Sequence, residues 1–82
     1  MNEVKVGQVY RHFKGSLHTI LNIALDSETT ERIIVYNHVG TEEVWVRPEK
    51  MFLETIPERP DNITGQKVRF ELVDDIEKNY LK

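Results

Sequence analysis

Apolar residues in this chain come in short runs, separated by turn-forming clusters of Gly, Pro, Ser, Thr and Asp. Residues 8–13 form the first run. On an extended strand, Val9, Arg11 and Phe13 share one face and Tyr10 and His12 the other. Lys14-Gly15-Ser16 closes it, because Gly15 tolerates a positive φ angle. Leu17–Leu25 is rich in Leu and Ile, and periodicity alone admits a strand or a short helix. The strand is favoured, since a Ser-Glu-Thr-Thr turn leads straight into residues 32–38, where Ile33, Ile34, Val35 and Tyr36 are strong strand formers. Val39-Gly40-Thr41 then turns into residues 43–47, and Pro48 ends that strand because it cannot donate to a ladder. Residues 48–51 predict one helical turn, 52–56 a short strand, 57–65 a loop and 67–73 a last strand. Asp74 or Asp75 could cap a short helix over 74–82.

Successive short strands with tight turns predict an all-β fold, a small SH3-like barrel or roll of about five strands over residues 1–73 with a short C-terminal appendage over 74–82. The 82-residue length implies one domain, and one that buries only roughly 60–65% of its unfolded surface. With no cysteine, neither disulfides nor thiolate-bound zinc can supplement the core, and a reducing cytoplasm is the expected compartment. The opening MNEVKVGQVY has no long apolar run, so neither a signal peptide nor a membrane span is expected, and the Asn62-Ile63-Thr64 sequon is a chance match. A net charge of −3 disfavours general affinity for nucleic acid, although residues 1–15 carry Lys5, Arg11 and Lys14 against Glu3 alone.

The stretches GQVYRHFKG, ALDSETTE, VY and WVRPEKMF, with a later RF, resemble a bacterial family known as domain of unknown function 1653. The likeness runs from about residue 6 to residue 70. It implies a small barrel of the SH3 type, in agreement with the strand pattern, and carries no assigned activity. Asp26 stands where the family pattern has histidine, His18 where it has tyrosine, and NHVGTEEV replaces a segment with a Tyr-Gly pair.

Trp45, Phe13 and Phe52 are expected in the core, where large rings hold a small domain together, while Tyr10 and Tyr36 suit either core or surface. His12, His18 and His38 lie on three separate strands without zinc-site spacing, so no metal and no cofactor are expected. Ser27 has no sign of an activating base or oxyanion hole, and Ser27-Glu28-Thr29 reads first as turn chemistry. Arg11 on a core-facing position needs a partner, with Glu28 or Glu31 the expected clamp; Arg47 either joins such a clamp or grips a ligand carboxylate or phosphate. The expected site gathers Arg11, His12, Lys14 and Arg47 with the Ser27-Glu28-Thr29 turn on one side of the barrel. A polar network pinning the hairpin to the sheet is the competing role for the same residues. Function is therefore expected to be non-catalytic binding of a small anionic ligand or a protein segment. The alternatives are an enzyme or enzyme accessory domain using His12 with Glu28, and an RNA-binding barrel. A monomer or weak dimer is expected, an exposed edge strand being the route to the dimer.

Overall fold

The computed structural model describes residues 3–74 of the chain. Five strands, β1 (Val9–His12), β2 (Leu17–Leu25), β3 (Arg32–Asn37), β4 (Val44–Pro48) and β5 (Phe70–Asp74), form one antiparallel sheet in the order β4-β3-β2-β1-β5. A single turn of helix, α1 (Glu49–Phe52), follows β4 directly. The all-β expectation thus takes the form of an open sheet. Among the described residues β4 and β5 are its edges, and no pairing between them closes a barrel. No helix among the described residues is long and apolar enough to cross a membrane.

Turn chemistry sets the registers. Gly15, at φ 102°, lets the Gly15 N–H reach the His12 carbonyl at 2.7 Å and brings Ser16 to β1. The β2–β3 connection is fastened by Asp26, whose Oδ1 accepts the Glu28 and Thr29 N–H groups at 2.8 and 3.2 Å. That turn forces Thr30, a β-branched residue, to φ 61°.

The core is a cluster of Val4, Tyr10, Ile20, Ile34, Tyr36, Phe52 and Phe70. Phe52 is fully buried and stacks on Phe70 at 4.1 Å, with Tyr10 and Tyr36 edge-on at 5.1 and 5.3 Å. Tyr36 on β3 and Phe70 on β5 stand three strand spacings apart, about 14 Å on a flat sheet. Their rings lie only 5.4 Å apart, so the sheet curls to bring both over one core.

Three sequence expectations change. Phe52 does not open a strand; it ends α1, and the segment after it contributes only the isolated bridge Thr55↔Val68. The last strand starts at Phe70 rather than Lys67, because Arg69 spends its N–H on the Glu54 carbonyl. Trp45 is 50% exposed and outside the core, since it sits on the edge strand, where no further strand among the described residues packs beside it. The expected C-terminal helix, beyond the Asp74 that ends β5, lies outside the described residues.

Candidate functional site

Alternation along the strands sends one set of side chains to the curled face beyond the aromatic core. His12 on β1, His18 on β2, Tyr36 on β3, Trp45 and Arg47 on β4 and Phe70 on β5 line a depression of about 270 Å³, joined by Lys14, Ser16 and His38 from adjoining turns. The register explains the meeting: His12 pairs with Phe70, Tyr36 with Trp45, and Tyr10 with His18. Rings form the floor, with His12 edge-on to Phe70 at 5.0 Å and His18 edge-on to Tyr36 at 5.4 Å.

The hydrogen bonds fix the histidine tautomers. The His18 Nδ1 lies 2.7 Å from the Asn37 carbonyl oxygen, which only accepts, so Nδ1–H donates and Nε2 accepts from the Ser16 hydroxyl at 2.8 Å. His18 is buried, and that burial lowers its pKa against the opposing pull of the Asn37 carbonyl. In His12, Nδ1 accepts the Lys14 N–H at 3.1 Å, which leaves the proton of the neutral ring on Nε2. Its pKa falls to about 4, first through burial and then through the positive charges of His18, Arg69, Lys14 and Arg47.

Among the described residues no carboxylate lines this depression, in a chain whose net charge is −3. Lys14 reaches Asp61 at 3.6 Å outside it. The Arg47 Nε is buried with no hydrogen-bond partner among the described residues, a donor left unsatisfied at a cost of about 1–3 kcal/mol.

Of the residues singled out in the sequence, His12, Lys14 and Arg47 meet here. Arg11 points elsewhere: its Nε donates to Gln66 Oε1 at 3.1 Å and its Nη2 to Glu71 Oε1 at 2.8 Å, so its partners are Gln66 and Glu71 rather than Glu28 or Glu31. Ser27, Glu28 and Thr29 lie beyond the far end of β2, about 20 Å along the strand from His18. There Thr29 borders a separate depression with Arg32, Glu49 and Lys50, and the Arg32 Nε pairs with Glu49 Oε1 at 3.0 Å. That distance removes Glu28 as an orienting partner for His12. Sequence reasoning missed Ser16, His18, His38, Tyr36, Trp45 and Phe70 as lining residues. The signal available was the shared face of His18 and Ile20 on β2, which places His18 beside the core rather than in solvent. Among the described residues no group of three His, Cys, Asp or Glu is disposed to hold a metal ion.

A crystal structure of a DUF1653 protein from Bordetella bronchiseptica is similar to this chain, at 28% identity and a TM-score of 0.67 over 90% of this chain and 92% of that one. Comparison with curated proteins gives no match. The family profile described as "protein of unknown function (DUF1653)" matches residues 8–72, nearly the whole sheet, and the chain belongs to that family.

Proposed function

We propose that the depression between β1 and β4 binds a small anion, a carboxylate or phosphate group, and that the protein is a binding module rather than an enzyme. The observation that carries this is the Arg47 guanidinium, whose buried Nε has no partner among the described residues. It stands in a site of cations and imidazoles that no carboxylate among the described residues lines. A carboxylate or phosphate oxygen is the matching acceptor for that guanidinium, and Lys14 and His12 line the same depression. The aromatic floor gives the site one wall of low polarity, which strengthens a charge-assisted bond made against it. The proposed compartment is a bacterial cytoplasm, supported by the cysteine-free sequence and by the Bordetella source of the similar structure.

The test is a 1H–15N NMR titration with inorganic phosphate and with acetate, at constant ionic strength against chloride. Selective shifts at His12, Lys14 and Arg47 that vanish in Arg47→Gln are expected. Shifts identical to those with chloride would exclude the anion site.

A second reading has its own observation. The chain of hydrogen bonds from Ser16 Oγ to His18 Nε2, with Nδ1–H held by the Asn37 carbonyl, sets a hydroxyl beside an oriented base. Covalent labelling of Ser16 by a fluorophosphonate probe, absent in His18→Gln, would favour an enzyme over a binding module.

A further inference from the structure

Strand β4 is an outer edge of the sheet, and it carries exposed apolar side chains on both faces. Val44, Trp45 and Val46 are 57%, 50% and 65% exposed. The other edge differs in composition: β5 carries the acidic Glu71 and Asp74, and the segment leading into it is held by the Thr55↔Val68 bridge and by the Arg69 N–H bonded to the Glu54 carbonyl at 2.9 Å. An exposed β-branched edge is a template for another strand unless charge or proline blunts it.

The ladder shows which backbone groups remain outward. The His38 N–H bonds the Glu43 carbonyl, so the pairs that exchange hydrogen bonds with β3 are His38–Glu43, Tyr36–Trp45 and Ile34–Arg47. Val44 and Val46 therefore direct their N–H and C=O groups away from β3. Pro48, opposite Ile33, falls in the same outward phase, where its missing N–H costs the β3 ladder nothing.

The segment Glu43-Val44-Trp45-Val46-Arg47 is self-complementary when run antiparallel to itself. With Trp45 at the centre, Trp45 faces Trp45, Val44 faces Val46, and Glu43 faces Arg47. Apolar residues meet apolar ones on one face, while the other holds a ring pair flanked by two opposite-charge pairs. Val44 and Val46 also form the hydrogen-bonded positions of this pairing, giving four backbone bonds across it. Shifting the centre to Val46 sets the Val44 carbonyl against Pro48, which has no N–H to give. Shifting it to Val44 sets Glu42 against Val46. The charge on Glu43 is available for the first register, since among the described residues it makes no ion pair.

We infer that the protein dimerises through β4, antiparallel to β4 of a second copy with Trp45 on the two-fold axis, joining two five-stranded sheets into one. Glu43 of each copy then caps the outer edge of the other's Arg47-lined depression. This inference rests on the edge and its sequence and not on the anion reading.

The experiment is sedimentation velocity from about 10 µM to about 1 mM, the range in which an interface of one short strand associates. Emission from Trp45, the only tryptophan, is read alongside it. The expected result is a concentration-dependent rise to twice the monomer mass with a blue shift of that emission. Val46→Lys, at an exposed position, weakens association by at least about tenfold. Glu43→Arg does the same by placing Arg against Arg47, and Glu43→Arg combined with Arg47→Glu restores it, because the antiparallel register is complementary with the charges exchanged. A monomer throughout the range overturns the inference and leaves the edge to a foreign strand. A dimer indifferent to Val46→Lys and Glu43→Arg overturns it equally, by locating the contact elsewhere. Phosphate titration of the Val46→Lys monomer separates this outcome from that of the anion site.

Discussion

Acidification should unfold this protein partly through one imidazole. His12 has a pKa of about 4 in the fold, against about 6.5 in an unfolded chain. A histidine whose folded pKa is depressed stabilises the fold above the unfolded pKa, and that contribution is lost as pH falls from about 6.5 towards 4. At about 1.4 kcal/mol per pH unit, the full difference corresponds to about 3.4 kcal/mol. His12 keeps much of its surface in water, however, and screening there reduces the figure to about 1–2 kcal/mol. The structure gives the cause a local form: protonating Nδ1 replaces the acceptor of the Lys14 N–H with a donor and adds a charge beside Lys14, Arg47 and Arg69. Urea unfolding at pH 7.5 and 4.5 reads the loss, and His12→Asn, whose Oδ1 can still accept the Lys14 N–H, isolates it from titrating carboxylates. The wild type should lose about 1–2 kcal/mol more than the variant over this interval. Equal losses would show that His12 is not held neutral by the fold. Bound phosphate should shrink the difference, because an anion in the depression favours the imidazolium.

Other substitutions separate core from edge. Phe52→Ala removes the ring that stacks on Phe70 and abuts two tyrosines, and should cost about 3–5 kcal/mol by denaturant melting. Trp45→Ala, at a half-exposed edge position, should cost no more than about 2 kcal/mol; a loss as large as that of Phe52→Ala would mean the indole is core after all. Thr30→Asn should stabilise by roughly 0.5–1 kcal/mol, since asparagine tolerates the left-handed φ of 61° that strains threonine, and a lower melting temperature would refute that strain.

The strands were legible because their apolar residues cluster between turns marked by Gly, Asp, Ser and Thr. β2 and β3 could be read almost to the residue on this basis. What failed was anything set by strand order. Trp45 has the composition of a core residue, and only its place on the sheet edge exposes it. Phe52 looks like a strand former, yet the turn of helix starting after Pro48 carries it under the sheet. The site shows the same division. His12, Lys14 and Arg47 meet because β1 and β4 curl over a shared core, whereas Ser27, Glu28 and Thr29, close to His18 in sequence, are carried away by the length of β2. Arg11 found a partner in Gln66, a buried loop amide that also donates to the Arg11, Val68 and Arg69 carbonyls. No local pattern announces a contact across 55 residues.

The pairing of β5 with β1 has a consequence for how the chain folds. β1 through β4 are joined as successive hairpins, each closing a short loop, whereas the Arg11–Glu71 contact spans 60 residues. Closing that span costs about 1–2 kcal/mol more in chain entropy than closing any of the hairpins. The meander is thus expected to assemble first, with β5 added after the main barrier as a latch. Phe70, which completes the stack on Phe52, arrives with the latch. Truncating its ring should therefore speed unfolding while leaving the folding rate nearly unchanged, so that β5 governs how long the native state persists rather than how quickly it forms.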